Sequence, residues 1–245
     1  MNTTVTMNPA LEILPWDTDF LGFPVAQLCP VASSLGSITE ALEQARRQNI
    51  RLLYWFVDPS DAEAVVTAQG LGARLVDRKV TYSMPVATGA EPWAEGIEPI
   101  SEVTPQLRSL ALQSGYYSRF RTDPGFAPKV YKQLYTRWIE SSVAGSMARE
   151  VLVYRPAPAT REVGLLTLGV HNGCARIGLL SVEEMARGQA IGTKLIMAAQ
   201  HRAAEWGLST IQVVTQQENT KACRFYERCG FRPEQVQHIY HIWME

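Results

Sequence analysis

Arg176-Ile-Gly-Leu-Leu-Ser-Val182, then Arg187-Gly-Gln-Ala-Ile-Gly192, then Ile211-Gln-Val-Val-Thr215, then Asn219-Thr-Lys-Ala222…Tyr226…Gly230-Phe231 succeed one another along one stretch of the chain. The first and third runs are apolar and β-branched and read as strands. Between them Ile191, Leu195, Ile196, Ala199 and Ala203 recur on one face of a helix, which Gly207 stops. Gly188-Gln-Ala-Ile-Gly192 falls where the strand gives way to that helix. A helix start leaves backbone N–H groups without partners, so this turn is a ready anion site. Gly188 and Gly192 keep side chains out of it, and Arg187 adds a charged donor. Neither a P-loop nor a GxGxxG fingerprint is present. Asn219 reads as the cap of the next helix. Ala222, Phe225, Tyr226 and Cys229 share one of its faces, and Gly230 ends it.

The rest of the chain reads as alternating strands and helices. A helix is expected over 38–48 with Ser37 as its cap, a buried strand over 51–57, a short helix from Ser60 to Ala68 ended by Gly70, and a strand over 75–84. Residues 85–96 carry prolines, glycines and alanines and read as a linker. Beyond it, helices are expected over 104–113 and 128–142 and strands over 148–154, 163–170 and 175–182. The turn His171-Asn172-Gly173 joins the last two into a hairpin. The division expected is therefore 1–90 and 96–245. Strand, helix, glycine and strand occur in that order in both halves, ending at Tyr82-Ser-Met84 and at Ile242-Trp-Met244. A degenerate repeat and a chance arrangement both account for that order.

With 46% hydrophobic and 19% charged residues and a formal net charge of -1, the chain suits an ordinary soluble globule without a broad basic face for nucleic acid. Four cysteines, none in a CxxC pair, and four histidines speak against a metal site and a disulfide framework. Free cysteines fit a reducing compartment. Met1–Met7 lacks the basic start and apolar run of a signal peptide, and no apolar stretch reaches the roughly 20 residues that cross a bilayer. The expectation is a cytoplasmic protein with no membrane partner.

Taken together, the glycine turn and the Asn219-x-x-Ala222-x-x-x-Tyr226-x-x-x-Gly230-Phe231 pattern resemble the GNAT superfamily of acetyl-CoA-dependent N-acetyltransferases. The turn matches that superfamily's (Arg or Gln)-x-x-Gly-x-(Gly or Ala) signature at Arg187, Ala190 and Gly192, with Ala190 in place of the usual first glycine. The resemblance implies an α/β (α+β) fold, a mixed but mostly antiparallel twisted sheet with flanking helices and a partial N-terminal copy. It implies that the two central strands part after their first residues. Acetyl-CoA would then be held by Leu180, Ser181 and Val182, by Arg187, Gly188, Gln189, Ala190, Ile191, Gly192 and Thr193, and by Asn219, Ala222 and Tyr226. It also implies that the Tyr226 phenol protonates the leaving thiolate. A base is not identified: Glu183, Glu184, His171 and a bound water are all open.

Gly115-Tyr-Tyr-Ser-Arg-Phe-Arg121 gathers rings and two guanidinium forks, which suit an anionic, ring-bearing acceptor. Tyr117-Ser-Arg-Phe-Arg121, Trp138-Ile-Glu140, Ala175-Arg-Ile-Gly-Leu-Leu180, Val214-Thr-Gln216 and Trp16-Asp-x-x-Phe20-x-Gly22 together resemble the dTDP-fucosamine acetyltransferase family. That resemblance covers most of the chain. It implies acetylation of the amine of a nucleotide-linked amino sugar, dTDP-4-amino-4,6-dideoxy-D-galactose, in polysaccharide biosynthesis, by a homodimer. It places Phe20, Tyr117, Arg119, Arg121 and Thr215 at the acceptor. The glucose-configured epimer, another small amine, and a catalytically silent acyl-CoA-binding module stay open.

Overall fold

The computed structural model describes residues 11–29, 35–87, 94–158 and 161–244. The chain forms two compact units, Met1–Lys79 with Val236–Glu245, and Val80–Gln235. They do not follow a single cut at 90–96, because the C-terminal residues return to the first unit. The middle of the expected linker and residues 1–10, which include Met1–Met7, lie outside the described residues.

In the first unit the strands run β1 (Leu11–Ile13), β2 (Val25–Leu28), β3 (Leu52–Val57) and the C-terminal part of β10 (Arg232–Trp243), side by side in that order. β1 and β2 are antiparallel, β2 and β3 parallel, and β3 and β10 antiparallel with Leu52 opposite Trp243. Helix α1 (Pro15–Leu21) carries the Trp16-Asp-x-x-Phe20 part of the quoted resemblance; Pro15 sits at its first position and Gly22, at φ 75°, ends it. Helix α2 (Leu35–Arg47) buries Ile38, Ala41, Leu42 and Ala45 against Leu53, Trp55 and Tyr240. The expected cap, Ser37, falls inside α2. Helix α3 (Ala62–Gly70) is capped by Asp61, which accepts the Ala64 N–H at 3.0 Å. Ser60, where this helix is expected to begin, instead donates to Asp58 at 2.7 Å.

In the second unit the strand order is β4 (Arg74–Pro85, its C-terminal part), β9 (Thr210–Gln216), β8 (Cys174–Val182), β7 (Gly164–His171), β6 (Glu150–Tyr154) and β5 (Ile97–Pro99). β5 to β8 are antiparallel neighbours, and β8 and β9 are parallel. The hairpin expected at Asn172-Gly173 is present, with His171 opposite Cys174. The sheet is flanked by α4 (Pro105–Ser114), the single turn α5 (Arg119–Thr122), α6 (Pro128–Val143), α7 (Ile191–Glu205) and α8 (Thr220–Arg228). Thr104 caps α4 by accepting the Leu107 N–H at 3.0 Å. On α7 the residues Ile191, Leu195, Ile196, Ala199 and Ala203 are all buried, as their spacing predicts.

The strand–helix–strand order in each half is matched in detail. Each helix, α3 and α8, has 9 residues, each strand after it, β4 and β10, has 12, and each helix is capped by an Asx side chain three residues before the N–H it accepts. Among the described residues no helix is long and apolar enough to cross a membrane.

Candidate functional site

The parallel pairing of β8 with β9 covers only Ala175–Ile177 and Ile211–Val213. Both strands run on past it, so a fork opens between Gly178–Val182 and Val214–Gln216. On the other side of β8 a bulge breaks the register with β7 between Leu166 and Leu168. Thr167, buried in the bulge, accepts the Leu179 N–H at 2.8 Å. A β-bulge bends its strand and redirects the residues beyond it, and here it turns the end of β8 away from β9. Gly178 makes room for this: a Cβ there would stand 2.8 Å from Thr167 Oγ1.

A cavity of about 1160 Å³ runs along the open strand end. Its walls are Leu180–Val182, the loop from Glu183 to Gly188, the first turn of α7, one face of α8, and Gln113–Tyr117 at the end of α4. A 3-10 turn, Glu184–Ala186, leads from β8 into the loop. Gly188 has φ 81° and Ala190 has φ 57°, and no side chain caps α7. The N–H groups of its first turn therefore face the cavity without a side-chain acceptor. Arg187 folds back along the loop, its Nε donating to the Val182 carbonyl at 3.0 Å. At Gly192 a Cβ would come within 3.0 Å of the Phe225 ring, so the small residue lets α7 begin against α8.

Asn219 caps α8 by accepting the Ala222 N–H at 3.3 Å, as its position predicts. Tyr226 is buried on the inner face of α8, with Phe231 edge-on at 5.6 Å and Tyr82 at 6.0 Å. Among the described residues its hydroxyl has no hydrogen-bond partner. Burial, with the thiols of Cys229 and Cys223 nearby, holds the phenol pKa well above the usual tyrosine range. It is a protonated O–H at neutral pH. Tyr226 lines the large cavity and also a second one of about 220 Å³ that lies at the fork.

Of the residues expected at the cofactor, Leu180, Ser181, Val182, Arg187, Gly188, Ala190, Ile191, Gly192, Thr193, Asn219, Ala222 and Tyr226 line the large cavity. Gln189 does not; it stands between two left-handed residues. Lys221 and Arg228 also line the wall. Their signal was the seven-residue spacing on α8, which puts both on the face of Phe225.

The acceptor residues divide. Tyr117 lines the large cavity, and buried Thr215 lines the small one. Arg119 and Arg121 line neither. The short helix α5 directs Arg121 onto Tyr116, with its guanidinium 3.8 Å from the ring centre and Nη1 donating to the Tyr116 carbonyl at 3.1 Å. Arg119 lies 4.8 Å over Phe120. Phe20 belongs to the first unit, where it stacks on Trp16 at 5.3 Å.

Among the base candidates, Glu183 and Glu184 line the large cavity. Glu183 is engaged by Arg161 at 2.5 Å and by Gln106 at 3.3 Å. His171 is at the hairpin turn and lines neither cavity. All four cysteines are free thiols, and no cluster of potential metal ligands occurs among the described residues.

Residues 143–231, which carry the fork and both helices beside it, match the model of the Acetyltransferase (GNAT) family. Over 229 residues the chain is 30% identical to a dTDP-fucosamine acetyltransferase of Escherichia coli O6:H1, covering 92% of this chain and 94% of that one. A spore coat polysaccharide biosynthesis protein of Bacillus subtilis is 27% identical over 145 residues, 57% of this chain and 47% of its own. The fold is similar to that of a GCN5-related N-acetyltransferase from Sphaerobacter thermophilus, with TM-score 0.60 at 16% identity, covering 95% of this chain and 76% of that one.

Proposed function

The chain belongs to the GNAT family of acetyl-CoA-dependent acetyltransferases, and from that premise we propose that it acetylates the amine of a nucleotide-linked amino sugar, a dTDP-4-amino-4,6-dideoxyhexose, with Tyr226 as proton donor. The observation that carries this reading is the position of Tyr226, a buried phenol common to the walls of the large cavity and of the small cavity at the fork.

The residues suit the acetyl donor. The uncapped first turn of α7 and Arg187 supply donors for a diphosphate, and Lys221 and Arg228 add positive charge. The free edge of β8 offers backbone groups to an extended amide arm, in the manner of an added strand. Acetyl-CoA supplies a thioester carbonyl for the amine to attack and a sulfur that leaves. Tyr226, protonated at neutral pH like any phenol, contributes the proton that the departing sulfur needs; the proton that the attacking nitrogen sheds passes to solvent, from which the phenol is restored. No side chain is assigned as base. The Arg161–Glu183 pair occupies the carboxylate beside the fork, so an amine arriving neutral from solution is the simpler source of nucleophile.

The acceptor is taken from the named activity of the 30% identical relative and from the absence of carboxylates in the small cavity's wall. The same resemblance supports a homodimer with no nucleic-acid partner, working in the cytoplasm, and a first half that is a partial copy of the catalytic one. The matched lengths and caps of α3 and α8 favour that copy. A silent acyl-CoA-binding module is the competing reading.

The test is release of CoA from acetyl-CoA with the dTDP-linked 4-amino-4,6-dideoxy sugars of galactose and glucose configuration, beside aminoglycosides and polyamines. Turnover with one dTDP epimer is expected. Turnover with polyamines alone would overturn the acceptor, and binding of acetyl-CoA without turnover on any amine would favour the module.

A further inference from the structure

We propose that Arg176 binds the phosphate of the acceptor and so makes the enzyme select a nucleotide-linked sugar over a free amino sugar, an inference that rests on the acceptor reading above. Arg176 pairs with Gln212 one residue before β8 and β9 part, and it lines the small cavity at the fork. That wall contains no Asp or Glu. Among the described residues Arg176 meets no carboxylate. Gln212, opposite it, is taken by Glu234 at 3.0 Å.

A second donor, Trp138, lines the same cavity. The Trp138 indole lies over Gly178, close enough that a Cβ there would be 3.6 Å from its Nε1. Among the described residues that N–H has no acceptor. Tyr135 stacks on the indole at 5.6 Å with an interplanar angle of 27°, which fixes its direction. A guanidinium and an indole N–H on the wall of one cavity, with no negative group there to satisfy them, form a site for anionic oxygen. A cationic acceptor such as a polyamine would meet like charge there.

Size fixes which part enters. At about 220 Å³ the cavity is smaller than the roughly 300–1,000 Å³ that holds drug-sized ligands. It takes the sugar ring, with the amine toward Tyr226 and the phosphate left at Arg176. Arg119 and Arg121, committed to neighbouring rings, do not compete for this role.

The experiment is calorimetric titration of dTDP into the full chain, saturated with CoA so that the cofactor cradle cannot take the nucleotide. Wild type, Arg176→Met and Arg176→Lys are compared. The Met variant should bind dTDP roughly 10- to 100-fold more weakly, the loss expected for a charged hydrogen bond. The Lys variant should recover part of it, and CoA affinity should be the same in all three. Equal dTDP affinity in wild type and Met variant overturns the proposal, as does no dTDP binding by wild type. A Met variant that loses CoA as severely makes Arg176 a structural residue and overturns it too. If wild type binds dTDP through Arg176 yet acetylates no dTDP-linked amine, the acceptor reading alone has failed.

Discussion

Thr167 Oγ1 accepts the backbone N–H of Leu179 at 2.8 Å, and this contact lies at the bulge that opens the sheet. The hydroxyl is fully buried, so the N–H has no water to turn to. Thr167→Val keeps the shape and removes the acceptor. It should cost about 1–3 kcal/mol in a denaturant melt, and turnover should fall with it as the end of β8 loses its direction. Thr167→Ser should retain most of both. A valine variant with the wild-type midpoint and turnover would show that the bulge holds itself without this bond.

Ala190 occupies a left-handed conformation, φ 57°, just before α7. A side chain there costs about 1–2 kcal/mol relative to the right-handed region, and glycine removes that strain while adding freedom to the unfolded chain. Ala190→Gly should raise stability by up to about 1 kcal/mol and leave acetyl-CoA affinity within a few-fold. Thermal melts and calorimetry with CoA check this. A less stable glycine variant would mean that the methyl makes a packing contact worth more than the strain.

Much of this site was legible in the sequence, for physical reasons. The apolar spacing on α7 and the Asn219 cap are local signals, and each survives into the structure because nothing tertiary opposes it. Elements without periodicity were not legible. β1 and β5 have three residues and β2 has four, too few to show alternation. Helix α1 carries local signals, Pro15 at its start and Gly22 at its end, but at seven residues it is too short to show a helical period. Arg119 and Arg121 suggested phosphate forks. The turn of α5 instead aims Arg121 at Tyr116, a direction that spacing alone does not record. Arg176 lies in Ala175-Arg-Ile-Gly-Leu-Leu180, and only the place where β8 and β9 part shows which cavity it lines.

Burial raises the pKa of Tyr226, and burial with hydrogen bonds to Cys223 and Glu227 raises that of Tyr82. Both phenols thus hold their protons more tightly in the folded chain than the ordinary value of about 10. Stability from this source is complete below about pH 10 and falls as pH rises above it, because the unfolded chain ionises first. Denaturant midpoints at pH 8 and at pH 10.5–11 should show the loss, and Tyr82→Phe should reduce its slope. Burial raises Tyr131 and Tyr240 as well, so four tyrosines should resist ionisation when absorbance is tracked up to about pH 11. A slope unchanged by Tyr82→Phe, with every tyrosine titrating near 10, would contradict the assignment.

The most direct measurement compares wild type with Tyr226→Phe, using acetyl-CoA and whichever dTDP-linked amino sugar the wild type accepts. The phenylalanine ring keeps the contacts with Phe231 and Tyr82 and loses only the hydroxyl, and with it the proton to be donated. Positioned proton donors contribute about 10²- to 10⁴-fold. The account predicts that kcat falls by at least about 100-fold while acetyl-CoA affinity stays within a few-fold of wild type. A phenylalanine variant with near-normal kcat would contradict it and leave Tyr226 as a packing residue of the fork.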